Sequence, residues 1–104
     1  MKFGLKTKDL NQITAIIRTF PEVTQAIIFG SRAMGNHKNG SDVDIVLKGT
    51  LINDKIVTQI NYQLNEVLLL PYFFDVVHFE SIENQDLVEH INQYGQVFFK
   101  RESF

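Results

Sequence analysis

Apolar residues recur along the chain at two periods, one helical and one of strand type. Leu10, Ile13, Ile16, Ile17 and Phe20 fall at helical spacing, with Thr7 as N-cap and Pro21 closing the pattern. This predicts an amphipathic helix over residues 8 to 20. Val23 to Phe29 reads as a buried strand, broken at Gly30 and Ser31, after which Arg32 to Met34 starts a short helix. Beyond the turn-rich stretch Gly35 to Gly40, Val43, Ile45 and Leu47 alternate with Asp42, Asp44 and Val46 as in a second strand. A loop from Lys48 to Asn53 follows. Ile56, Ile60, Leu64, Val67 and Leu68 then mark a second long helix ending near Pro71, and Phe73 to Phe79 a third strand that carries Asp75. Leu87, Val88, Ile91 and Tyr94 predict a last helix, capped within Ser81 to Asn84 and stopped at Gly95, with Val97 to Phe99 extended or helical.

That order of elements implies an α/β (α+β) fold, a small mixed β-sheet flanked by helices. A length of 104 residues, 44% of them apolar, implies a single domain over 1–104. Its twelve aromatic residues, nine of them Phe, supply a core without disulfides. Cysteine is absent, which excludes thiol nucleophiles and thiolate metal sites. The apolar tail of Val97, Phe98, Phe99 and Phe104 is expected either to pack on the chain's own sheet or to join a partner interface. A net charge of -2 supplies no basic face, so direct nucleic-acid binding is not expected. No stretch has a signal-peptide core or approaches the roughly 20 apolar residues of a membrane span, so a cytoplasmic location without membrane contact is expected.

The chemistry gathers in the acidic residues. Asp42 and Asp44, two apart on a predicted strand, leave one face with Cα atoms roughly 6.6 to 6.8 Å apart. Asp75 lies in an apolar run where an uncompensated carboxylate is costly to desolvate. Such carboxylates are the ligands of hard divalent cations, magnesium above all. In two-metal phosphoryl transfer Asp42 and Asp44 would bridge both ions, while Asp75 would bind one and help deprotonate an acceptor hydroxyl. The bland alternative makes Asp42 a turn residue, Asp44 a solvated strand residue and Asp75 a chance strand start. Upstream, Gly30 lets a backbone approach a ligand and Ser31 offers a hydroxyl to phosphate oxygens. Arg32 either adds charge to a triphosphate or is ion-paired or solvated. Asn36 and His37 stand where a Walker A loop needs Lys and Ser or Thr, which disfavours a P-loop ATPase. His37, His78 and His90 lack zinc-ligand spacing and read as structural or surface residues.

Phe29-Gly30-Ser31-Arg32-Ala33-Met34-Gly35, then Asn36 to Gly40, then Ser41-Asp42-Val43-Asp44-Ile45 resembles the signature of the DNA polymerase β nucleotidyltransferase superfamily. Ten residues, Arg32 to Ser41, separate the Gly-Ser pair from the Asp-x-Asp pair, which is the family spacing. The chain is most similar to minimal nucleotidyltransferases, short prokaryotic proteins encoded beside a helical HEPN-domain partner. Met34 departs from the pattern, since many relatives carry a basic residue there. The resemblance implies a polymerase β-like catalytic fold, with Gly30, Ser31 and Arg32 binding the nucleotide and Asp42, Asp44 and Asp75 as catalytic metal ligands. It also implies two magnesium ions, ATP or another nucleoside triphosphate as substrate, and a hetero-oligomer with the HEPN protein. By that analogy the chain is an antitoxin that transfers AMP to a tyrosine of its partner. Two alternatives are a binding subunit that neutralises a toxin stoichiometrically and the catalytic subunit of an antibiotic nucleotidyltransferase.

Overall fold

The computed structural model describes residues 1–102. The expected helices and strands form in order, as α1 (Thr7–Arg18), β1 (Gln25–Phe29), α2 (Ser31–Met34), β2 (Val43–Lys48), α3 (Asp54–Tyr62), β3 (Phe74–His78), α4 (Gln85–Tyr94) and β4 (Gln96–Lys100). The four strands make one mixed sheet in the order β3-β2-β1-β4. β1 runs antiparallel to both β2 and β4, while β2 and β3 are parallel. Parallel neighbours need a crossover, and α3 supplies it.

The alternation along each strand sorts its residues between two cores. Ala26, Ile28, Val43, Ile45, Leu47, Phe74, Val76 and Phe99 join Ile13 and Ile17 of α1 and Ile60 of α3 in the larger cluster. Ile27, Phe29 and Val46 face the other way, against Ile91 and Leu87 of α4. Helices therefore cover both faces, and each fully buried side chain such as Phe74 or Ile45 contributes about 1.5–3 kcal/mol over leaving it exposed. Among the described residues no helix is long and apolar enough to cross a membrane.

Two local expectations are corrected, and one left open is decided. Thr7 lies inside α1; Lys6 takes the N-cap position and makes no side-chain capping bond. The second long helix is not uniform, because α3 passes into a π-helical turn over Gln63–Val67. The stretch 97–99 is a strand, since the β1 edge offers it ladder partners and Phe99 an apolar face to fill. Arg101 fastens that strand by donating to the carbonyls of Val23, Arg18 and Phe20 at 3.0–3.1 Å. Phe104 lies outside the described residues.

Candidate active site

The carboxylates are brought together by strand register. Asp44 has Asp75 as its Cα partner across the parallel β2–β3 ladder and Phe29 as its partner across the antiparallel β1–β2 ladder. Because Val43, Ile45, Phe74 and Val76 point into the larger core, Asp44 and Asp75 project from the opposite face, the one α4 covers. Asp42 stands one residue before β2, with the same parity as Asp44. Asp42 and Asp75 are exposed, while Asp44 is half-buried.

β3 is an edge strand, and its outer side is held by a side chain. Asn65, on the π-helical turn, donates from Nδ2 to the Phe74 carbonyl at 2.9 Å and accepts at Oδ1 from the Phe74 N–H at 2.8 Å. One amide thus pairs both backbone groups of the residue preceding Asp75, as a further strand would.

The Gly30–Ser31 corner closes over Asp44. Gly30 has φ 75° and ψ -155°, a conformation essentially restricted to glycine, and a Cβ there would run into the Asp44 carboxylate. The absent side chain therefore makes room for the carboxylate itself, a need the sequence had tied only to a ligand. Ser31 opens α2, whose Gly35 cap and Asn36 both donate backbone N–H groups to the Ser31 carbonyl. Its half-buried hydroxyl has no hydrogen bond among the described residues.

Arg32 is placed differently from the expected phosphate contact. It is only 4% exposed, donating from Nε and Nη2 to the Ser41 carbonyl at 3.1 and 2.8 Å and from Nη1 to the Phe3 carbonyl at 2.8 Å. Its guanidinium also lies 5.4 Å from the centre of the Tyr72 ring, whose hydroxyl donates to the buried Asp9 at 3.0 Å. A buried guanidinium must spend its donors on acceptors, and here they tie the segment before Asp42 to the N-terminus.

The electrostatics fit a cation site. Burial raises the Asp44 pKa above its ordinary value, with the charges of Asp75 and Asp42 adding to the effect and that of Arg32 opposing it. The one ion pair among the described residues joins His78 to Glu80 at 3.1 Å, so the three aspartates have no salt-bridged cation. Crowded, uncompensated oxygen donors suit magnesium. Among the described residues, however, no three acidic or histidine side chains stand close enough to form a ready-made cage. Closure would need rotation of the exposed Asp42 and Asp75, whose side chains make no hydrogen bond among the described residues.

His90 is structural, as expected, and the structure it holds is this corner. From α4 its Nε2 accepts the Gly30 N–H at 3.0 Å, and its ring contacts those of Phe29 and Tyr94. Nothing local in the sequence signals this, because the partners are 60 residues apart. His78 is structural, bonded to the Gly49 carbonyl and the Ser81 hydroxyl. A cavity of about 500 Å³ lined by Phe20, Thr58, Gln59, Tyr62 and Gln63 holds no carboxylate and is not the candidate.

A family model described as polymerase beta nucleotidyltransferase matches residues 11–104. No curated protein matches the chain. A solved structure of a toxin-antitoxin with AMP-PNP is similar, with a TM-score of 0.73 and 20% identity over 89% of this chain and 74% of that one. Another is a tri-AMPylated HEPN toxin from Shewanella oneidensis in complex with its MNT antitoxin, with a TM-score of 0.70 and 17% identity over 93% of this chain and 74% of that one. A toxin-antitoxin structure named MntA-HepT gives 0.70 and 17% over 92% and 74%. Likeness at these identities is likeness of fold.

Proposed function

We propose, for a chain that belongs to the polymerase beta nucleotidyltransferase family, that it transfers AMP from ATP to a tyrosine hydroxyl of a helical HEPN-type partner and thereby acts as an antitoxin. The observation that carries the reading is the pairing of Asp44 with Asp75 beside the Gly30–Ser31 corner, with Asp42 and Asp75 exposed to solvent. The similarity in fold to antitoxins solved with AMP-PNP or with an AMPylated HEPN toxin supports the choice of nucleotide and acceptor.

Asp42 and Asp44 would hold two magnesium ions, and Asp75 one of them. The chemistry magnesium would supply when held there is a lowered pKa for the attacking hydroxyl and countercharge for the departing pyrophosphate. The Ser31 hydroxyl donates to a triphosphate oxygen, and Gly30 leaves the space in which Asp44 is seated. Asp75 accepts the proton as the tyrosine oxygen bonds to the α-phosphorus and the bond to the pyrophosphate oxygen breaks. Arg32 holds the Ser41 carbonyl and so sets the start of β2 rather than touching phosphate. The partner supplies the acceptor, and the reaction takes place in the cytoplasm.

The chain and the protein of its neighbouring gene, incubated with ATP labelled at the α-phosphate, should give a labelled partner only with magnesium. Labelling that persists in Asp42→Ala plus Asp44→Ala protein overturns the assignment. The stoichiometric alternative has one observation in its favour, the absence of a ready-made cage among the described residues. It predicts equal rescue of toxin-expressing cells by wild type and the double variant, whereas the catalytic reading predicts rescue by wild type alone.

A further inference from the structure

We infer that His90 is a positioning residue for the nucleotide site, acting through the backbone of Gly30. The inference rests on the nucleotide reading above.

The β1–β2 ladder ends at the pair Phe29–Asp44 and the β1–β4 ladder at Ile28–Gln96, so Gly30 lies past the last rung on both sides. Its N–H has one partner among the described residues, the Nε2 of His90 at 3.0 Å. An imidazole nitrogen accepts only when it carries no proton, so the ring proton sits on Nδ1 in this arrangement. The ring has little freedom to leave: Phe29 meets it edge-on with centroids 6.2 Å apart, and Tyr94 tilts against it at 5.3 Å. Ile91, next to His90 in α4, is anchored in the core with Phe29 and Val46.

The bond acts at the point where the backbone is least able to hold itself. Gly30 occupies a conformation of positive φ that ordinary chains abandon unless their surroundings fix it. Three contacts fix it here, the Asp44 carboxylate against its α-carbon, His90 on its N–H and the Met34 N–H on its carbonyl at 3.2 Å, and of these only His90 reaches the corner from α4. The next residue is Ser31, so a rotation of the Gly30 peptide would turn the serine hydroxyl and the start of α2 together. α4 makes no other hydrogen bond to this corner among the described residues, which leaves His90 as its link to the phosphate-binding turn.

The test compares full-length wild type with His90→Leu, which removes the acceptor, and His90→Gln, which offers a carbonyl oxygen in its place. Amide exchange at Gly30, followed by NMR, reads the contact without reference to activity, and titration with magnesium and a non-hydrolysable ATP analogue reads its consequence. In His90→Leu the Gly30 amide should exchange faster and its resonance move, and nucleotide affinity should fall roughly tenfold, the worth of one hydrogen bond. With partner present, KM for ATP should rise by a similar factor while kcat changes less, and His90→Gln should recover most of both effects. A general packing defect would lower thermal stability in both variants without separating KM from kcat. Unchanged Gly30 exchange in His90→Leu overturns the inference, as does a freed Gly30 amide with undiminished nucleotide binding. If wild type itself binds no nucleotide, the nucleotide reading fails and the positioning role fails with it. Equal binding by wild type and His90→Leu removes the role of His90 alone.

Discussion

Asp44 and Asp75 are register partners in the one parallel ladder of the sheet, so two carboxylates stand on adjacent strands of the same face. Burial makes the ionised Asp44 costly, and the like charge so placed on Asp75 adds to that cost. The fold maintains this arrangement against its own stability.

Replacing Asp44 should therefore separate function from stability. The folded pKa of Asp44 is raised, so its contribution to stability is complete below the ordinary carboxylate value and is lost as pH rises through the folded value. Near neutral pH the ionised side chain is a liability. Asp44→Asn should raise the melting temperature of metal-free protein at neutral pH, with the gain vanishing in acid. It should also slow AMP transfer roughly 10³-fold, several kcal/mol of lost transition-state stabilisation. Melting curves across pH with chelator present check the first part, and a variant less stable than wild type at neutral pH would contradict it.

Gly30→Ala meets both a positive φ and the Asp44 carboxylate. It should cost about 1–3 kcal/mol in urea unfolding and displace Asp44, abolishing transfer. Native stability in this variant would show that the corner relaxes easily.

Asn65 substitutes for a missing strand at Phe74. Asn65→Leu leaves both Phe74 backbone groups unpaired and should lose about 1–3 kcal/mol. Asn65→Asp keeps the acceptor for the Phe74 N–H and should fall between Leu and wild type. Denaturant titration ranks the three, and equal midpoints would remove the clasp.

Arg32→Lys distinguishes a brace from a phosphate ligand. Lysine cannot reproduce the fork that reaches Ser41 and Phe3, so the variant should unfold with a loss of about 2 kcal/mol or more. Wild-type stability with weakened binding of nucleotide alone would return Arg32 to the triphosphate.

Local order was legible in the chain because periodicity and turn chemistry are local properties. The apolar spacing placed α1, β1, β2, α3, β3 and α4 within a few residues, Asn84 caps α4 within the expected segment, and the Asp-x-Asp parity follows from the two-residue repeat of a strand. The π-helical turn was not legible, since the apolar spacing through Leu64, Val67 and Leu68 does not distinguish it from a continuing α-helix.

What the sequence determined by itself is the set of elements, the acidic residues and the Gly-Ser corner, each written within a few neighbouring positions. Tertiary structure alone decided that Asp75 sits opposite Asp44, that Asn65 closes the sheet edge at Phe74, that Arg32 is buried among carbonyls, and that His90 reaches Gly30. These depend on register and on which helix covers which face. Contacts between distant segments are settled only when the whole core packs, because burying a polar or charged group is tolerable only where the completed fold supplies its partners.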